Sequence, residues 1–326
     1  MEMRQYEHLI KPLSVGATTS TPGSFAIGPG NAAREIRLNG PDHLEKMNLN
    51  LSWGIHNTLG DWHAGLDPHV HPYPECLLFV GLDTANINYL GAQIECCLGP
   101  EQETYIFDEP TVIVIPAGLP HGPILTKRIY SPKGFGFWAV ELNATPEISW
   151  LGGAKPTEAT GKYEYLVKSL RSGLFVERGK ANASRFTPEQ LAKMEENSRA
   201  GKKAGPGYTD HLIWFTGKEL EGLDVNIFWG FSSRPGIWQR GSGAHTHPVD
   251  EVLVFMGMDP CDMDYLGAEI EIDIGKEHER HLINEPSAVV CPAGLPHTPQ
   301  VTRWVDRPFA FFAVSLSGEH KAESFD

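Results

Sequence analysis

The sequence predicts an all-β protein built as two tandem sandwiches or jelly rolls. Three observations carry this expectation. The chain has 326 residues, enough for about two domains at roughly 100–200 residues each. It repeats itself at a fixed interval. Its apolar runs are short, rich in β-branched and aromatic residues, and punctuated by 34 glycines and 25 prolines. Such runs read as strands, and many short strands without alternating helices make a sandwich or jelly roll.

The repeat is the firmest of the three. Trp53-Gly54 returns as Trp229-Gly230, His69-Val70-His71-Pro72 as His245-Thr246-His247-Pro248, and Tyr89-Leu90-Gly91-Ala92 as Tyr265-Leu266-Gly267-Ala268. Pro116-Ala117-Gly118-Leu119-Pro120-His121 returns as Pro292-Ala293-Gly294-Leu295-Pro296-His297. Every pair stands 176 residues apart, an ungapped register. Further upstream, Tyr6-Glu7-His8-Leu9-Ile10-Lys11 resembles Tyr163-Glu164-Tyr165-Leu166-Val167-Lys168 at the shorter spacing of 157. The second copy therefore carries about nineteen extra residues before its core, between Thr187 and Gly207. The expected domains are residues 1–155 and 156–326.

Within each copy the elements follow in order. Cys76–Val80, Thr111–Ile115 and Phe135–Val140 are the clearest strands of the first, matched by Val252–Met256, Ala288–Cys291 and Phe309–Val314 in the second. The helical signal is confined to two places. Thr187-Pro188-Glu189-Gln190 has an N-cap threonine, proline at N1 and glutamine at N3, which predicts a short helical insertion over 187–199 before the second barrel. Tyr163–Leu170 is the other candidate.

Composition excludes several function classes. Hydrophobic residues make up 41% and charged residues 21%, a globular balance. The net charge of −14 argues against nucleic acid as a partner. No apolar stretch approaches the ~18 residues of a membrane span, and the N-terminus has no secretory signal pattern. Five cysteines without a CxxC pair make a disulfide framework unexpected and point to a reducing, cytoplasmic setting. The cysteines read as small core hydrophobes.

The chemistry lies in the repeated polar residues. In an extended strand, side chains at i, i+2 and i+6 share a face. His69, His71 and Glu75 would then line one side if the strand continues without a bulge, backed by Leu77 and Phe79. The turn Pro116–Pro120 delivers His121 from another strand. The second copy repeats the set as His245, His247, Glu251 and His297. Three imidazoles and one carboxylate offer three nitrogens and one oxygen to a divalent cation, leaving about two of six octahedral positions for water or substrate. Without thiolate ligands the set is unlike a closed structural zinc site. The expected cofactor is a divalent transition metal, up to two per chain: iron or manganese first, with zinc, nickel and cobalt as alternatives.

These motifs resemble those of the cupin superfamily, and more narrowly of the bicupins. HxHxxxE with a following glycine is matched by His69–Glu75 with Gly81 and by His245–Glu251 with Gly257. PxGxxH is matched by Pro116–His121 and Pro292–His297. The resemblance covers nearly the whole chain and implies two small jelly-roll barrels, each holding one metal inside. The first motif's usual upstream glycine is met only at slightly short spacing, by Gly65 and Gly241, and the asparagine that often follows the last histidine is missing.

Members of this superfamily include dioxygenases, decarboxylases, isomerases, hydrolases and non-catalytic binding proteins, so the fold does not decide the function. The leading expectation is a non-haem dioxygenase of a phenolic or dicarbonyl substrate. A redox-neutral lyase, decarboxylase, hydrolase or isomerase is the alternative, and a non-catalytic small-molecule-binding bicupin the third. Oxalate decarboxylases carry an arginine just before HxH; here Gly65-Leu66-Asp67-Pro68 stands before the first site, and Arg240 lies five residues before His245. Arg234 and Arg240 occur in the second copy where the first has Thr58 and Ala64. Arginine's planar fork suits carboxylates, so these two are the candidate catalytic residues and make the second site the candidate for an anionic substrate. His63 faces Gln239 in the same alignment. Lys202-Lys203 is a candidate lid. The partners expected are a small-molecule substrate and a second copy of the chain, with neither nucleic acid nor membrane.

Overall fold

The computed structural model describes residues 4–13, 30–63, 68–152, 155–177, 180–181, 210–237 and 244–325. These residues are almost entirely β. The helical insertion expected over 187–199, the Lys202-Lys203 lid and Arg240 lie outside the described residues. Among those described, no helix is long and apolar enough to cross a membrane.

The chain divides into two compact units, and each is a pair of facing sheets. In the first, a six-stranded sheet runs in the order Val167–Ser169, Thr111–Ile115, Glu75–Gly81, Phe135–Glu141, Asn50–His56, Arg34–Asn39. Three of its central strands, Glu75–Gly81, Phe135–Glu141 and Asn50–His56, are buried along their whole length. This is why their sequences are near-continuous apolar runs rather than alternations. The opposing sheet is built around His121–Ile129 and Ala92–Leu98, and Ala92–Leu98 begins with the in–out alternation of a half-buried strand. The second unit repeats this plan. Ser287–Cys291, Glu251–Gly257, Phe309–Ser315 and Asn226–Ser232 lie side by side in one sheet, and Ala268–Ile274 and His297–Val305 form the middle of the other. Cys76, Cys96, Cys97 and Cys291 are buried free thiols and Cys261 an exposed one.

Two sequence expectations are corrected here. The units are Met1–Leu13 with Gly173–Asp326, and Ser14–Ser172, not 1–155 and 156–326. The cause is an exchange of arms. Ile10–Pro12, from the start of the chain, pairs antiparallel with Ser287–Cys291, Ile10 opposite Val289. Val167–Ser169 pairs with Thr111–Ile115, Val167 opposite Ile113. The two arms thus occupy matching edges, each in the unit formed mainly by the other copy. Tyr163–Leu170 is also not a helix: Glu164–Leu166 makes one 3-10 turn before the chain extends into the Val167–Ser169 strand.

Each arm is seated by a tyrosine over a glycine. Gly99 and Gly275 sit at φ +77° and +81°, where L side chains are strained. A Cβ on Gly99 would lie 2.2 Å from Cε2 of Tyr163, and one on Gly275 2.1 Å from Cε2 of Tyr6. The Tyr163 hydroxyl donates to Glu101 Oε2 (2.6 Å) and that of Tyr6 to Glu277 Oε2 (2.7 Å). Glu103 accepts from the Thr160 hydroxyl and from the backbone N–H groups of Thr160 and Lys162. Glu279 accepts from the backbone N–H groups of Gln5 and Tyr6. The matched pair Glu103 and Glu279 therefore fastens the arms.

Candidate metal centres

The expected continuous strand from His69 to Glu75 does not form. His69–Val70 pairs with His121 in one sheet, while Glu75–Gly81 belongs to the other. Pro72 and Pro74 explain the break, since proline has no N–H to give to a ladder. Pro248 interrupts the second copy in the same place. The ligands converge nonetheless, because the break carries the chain from one sheet to the other where the two close on each other.

All eight predicted ligands come together in two groups. His69, His71, Glu75 and His121 place their ligand atoms within 4.8 Å of one another, and so do His245, His247, Glu251 and His297. Six of the eight residues are buried, and His69 and His245 are half-buried. In the first centre His121 Nε2 lies 2.7 Å and His71 Nε2 3.4 Å from Glu75 Oε1. In the second, His297 Nε2 lies 3.2 Å and His247 Nε2 3.4 Å from Glu251 Oε2, and the Nε2 atoms of His245 and His247 are 3.0 Å apart.

The opposite ring nitrogens show how these sites are meant to be used. His71 Nδ1 lies 2.6 Å from the carbonyl of Glu147, and His121 Nδ1 lies 3.0 Å from that of Leu119. His247 Nδ1 is 2.7 Å from the carbonyl of Lys321, and His297 Nδ1 is 3.0 Å from that of Leu295. A carbonyl only accepts, so each Nδ1 carries a hydrogen and each ring turns its Nε2 inward. Several ring nitrogens and a carboxylate thus face one point, an arrangement that a divalent cation relieves. The donor set fits a cation with nitrogen and oxygen preferences.

Electrostatics agree. Burial holds His69 well below the ordinary imidazole range, helped by His121, His71 and His63. Burial also brings His245 down to about 3, with His297 and His247 adding to it. For Glu251, burial works to raise the pKa, but His297, His247 and Ser315 outweigh it and hold the carboxyl at about 2. Glu75 is lowered in the same way: burial opposes, and His121 and His71 prevail. His121 and His297 are raised against burial, His121 chiefly by Glu75 and His297 by Cys291 and Glu251. The carboxylate of each centre is thus held in its ionised form, the form a cation needs.

The first centre opens onto a small pocket whose apolar walls are Leu77, Ile124, Phe137, Ala139, Ile148 and Trp150. The sequence predicted Leu77 and Phe79 as the wall; the pocket takes Leu77, and Phe137, the cross-strand partner of Phe79, takes the next place. His63 and Glu141 also line it. Glu141, Tyr73 and Trp150 were missed from the sequence. Glu141 is the cross-strand partner of Glu75. Burial, and then the charge of Glu75, push its carboxyl up to about 7. The Tyr73 hydroxyl lies 2.8 Å from Glu141 Oε2, and its ring stacks on His71 at 5.1 Å. Trp150 stands 4.9 Å from His69.

The second centre is built differently. Ser315 takes the strand position opposite Glu251 and donates to its Oε1 at 2.6 Å. The Thr298 hydroxyl lies 2.9 Å from His245 Nδ1, and His320 stands 4.9 Å from His247. Arg234, a candidate catalytic residue, is half-exposed and forms a 3.3 Å ion pair with Asp210, and its described contacts do not include the His245 group. Arg240 is outside the described residues.

No family model and no curated protein matches the sequence. The fold has clear counterparts among solved structures. One is an oxalate decarboxylase from Bacillus subtilis, studied for its Mn(II) centres: TM-score 0.54, 9% identity, covering 90% of this chain and 75% of that one. A substituted variant of the same enzyme gives a TM-score of 0.52 at 12% identity with the same coverage. A second variant, altered at four consecutive residues, gives the same values. At this identity the likeness is one of fold, and it meets the motifs and ligand geometry found independently above. The chain has the fold of a bicupin, two jelly-roll barrels in tandem, each bringing three histidines and one glutamate together in a group suited to one divalent metal ion.

Proposed function

We propose that the chain is a metal-dependent enzyme that cleaves a small oxygenated organic acid without net oxidation, a lyase of the decarboxylase kind, with the first barrel's pocket as its substrate site. The observation that carries this is the opening of the His69, His71, Glu75 and His121 group onto an apolar pocket with a second carboxyl, Glu141, beside the ligands. A divalent cation there would supply Lewis acidity toward a substrate carboxylate or carbonyl oxygen. The chain's own residues do the rest. Carbonyls of Glu147 and Leu119 fix the rings of His71 and His121. Leu77, Phe137 and Ile124 exclude water. Tyr73 donates to Glu141, whose carboxyl, raised to about 7, is the proton carrier beside the substrate. The solved structures named above are of an oxalate decarboxylase, one of them described with Mn(II), which favours this chemistry over the dioxygenase first expected and, of the iron and manganese expected, manganese.

The dioxygenase of a phenolic or dicarbonyl substrate stands as a second reading because two aromatic rings, Trp150 and Phe137, line the pocket. The two part on oxygen. Manganese-loaded protein incubated anaerobically with a panel of 2-hydroxy and 2-oxo acids is expected to release carbon dioxide, and His69→Ala to abolish it. Turnover that requires dioxygen and consumes it in proportion to substrate would overturn the lyase reading in favour of the second.

A further inference from the structure

The two centres share a ligand set but not the residues behind it. Each glutamate meets a different neighbour on the adjacent strand. Ser315 faces Glu251 and donates to its Oε1 at 2.6 Å. Oε2 is then left to the rings of His297 and His247, at 3.2 and 3.4 Å. Glu75 is faced instead by Glu141, whose own hydrogen bonds run to Tyr73 and Asn50. The serine's contact has no counterpart there.

The leading histidines differ in the same way. The Thr298 hydroxyl lies 2.9 Å from His245 Nδ1, and Thr298 is 4% exposed. A hydroxyl both donates and accepts, so it can accept from Nδ1–H when Nε2 turns its lone pair to a cation. The first copy has Gly122 in that place. A Cβ on Gly122 would stand 3.6 Å from His69 Nδ1, but glycine has no hydroxyl to offer. The backbone sharpens the contrast. Thr298 sits at φ +75°, a strained region for a β-branched residue, while Gly122 takes φ +81° without that strain. Strain kept in one copy and absent from the other points to a use for the hydroxyl. With carbonyls behind His247 and His297, all four ligands of the second centre are backed by a hydrogen bond. In the first, carbonyls back His71 and His121, and neither hydroxyl is present.

We propose that Thr298 and Ser315 are positioning residues that make the second centre the tighter of the two cation sites, so that it fills first and keeps its ion when a chelator empties the first. The inference rests on the reading that each group holds a divalent cation. It is independent of what the first centre catalyses.

The test is Mn²⁺ binding by the full chain, followed by calorimetry and by electron paramagnetic resonance of the free ion. His69→Ala leaves the second centre intact, and His245→Ala the first. Mn²⁺ is expected to bind His69→Ala at least about tenfold tighter than His245→Ala, since partners behind metal ligands are worth about 10–100-fold in affinity. In the wild type, stepwise chelation followed by elemental analysis is expected to pause at one equivalent. Within the His69→Ala chain, Thr298→Val keeps the shape and removes the hydroxyl, and Ser315→Ala removes the other. Each is expected to weaken binding about tenfold. Thr298→Ser keeps the hydroxyl and is expected to bind within about threefold of its parent. Thr298→Gly, the residue of the first copy, serves should the valine variant misfold. It is expected to lose affinity for Mn²⁺ while the denaturant midpoint of the metal-free chain holds or rises, which a merely structural threonine would not do. Equal affinity of the two centres, a tighter first centre, or a chain lacking either hydroxyl that binds as its parent does overturns the inference and leaves the metal reading standing. No manganese bound by either single-centre chain or by the wild type overturns both.

Discussion

The imidazoles of His71, His121, His247 and His297 are each backed by a carbonyl oxygen, and this small detail decides what the sites can hold. It assigns hydrogen to Nδ1 and turns Nε2 inward, so a cation finds ligands already turned toward it. Against burial, His121 is raised chiefly by Glu75, and His297 by Cys291 and then Glu251. A metal ion takes its histidine ligands in their neutral form. Titration of Mn²⁺ into chelator-stripped protein, in buffers of different ionisation enthalpy, should show proton release, and affinity should fall as pH drops below neutral. Glu141 gives a second residue-scale prediction. Its folded value of about 7 lies above the ordinary 4.5. Its contribution to stability is therefore intact below about pH 4.5 and is lost as pH rises to 7. In metal-free protein Glu141→Gln should match the wild type near pH 4.5 and exceed it by an amount of order 1–3 kcal/mol at pH 7.5, measured by denaturant unfolding. The eight ligands were readable from spacing alone, because HxHxxxE and PxGxxH recur intact. Glu141 and Tyr73 were not: the second copy has Ser315 and Val249 at the matching places, so the repeat hides them, and only strand register brings Glu141 beside Glu75.

At the scale of elements, strands were readable and their partners were not. The run Glu75–Gly81 declares a buried strand by composition, whichever strands flank it. The break at Pro72 and Pro74 overrides the simple period-two expectation, yet it is what lets His69 and Glu75 belong to different sheets. The arms Ile10–Pro12 and Val167–Ser169 have the same local pattern, and nothing local says which copy's edge each will join. The contacts that answer this are distant: Tyr6 over Gly275 and Tyr163 over Gly99. Gly275→Ala forces a side chain into the Tyr6 ring at a backbone angle that disfavours it. A loss of order 1–3 kcal/mol is expected, with faster amide exchange at residues 9–11 and no change in metal bound by the first centre. Unaltered exchange there would mean the arm is held by other contacts.

At the scale of the whole molecule, duplication has produced two units with one ligand plan and different surroundings. The first centre has a second carboxyl at hand; the second has a serine, a threonine and His320. Manganese-dependent activity is therefore expected to reside in the first unit, with His69→Ala abolishing turnover and His245→Ala retaining at least about half of it. The reverse pattern would move the substrate site to the second unit, where the sequence had put it on the strength of Arg234 and Arg240. Beneath this lies the claim that each unit holds its own metal ion. Elemental analysis of the purified chain, with His69→Ala and His245→Ala measured beside it, tests that claim most directly. Two equivalents of divalent transition metal in the wild type and one in each variant is the result expected; a wild type that retains none after saturation and gel filtration, or variants that both keep two, would contradict it.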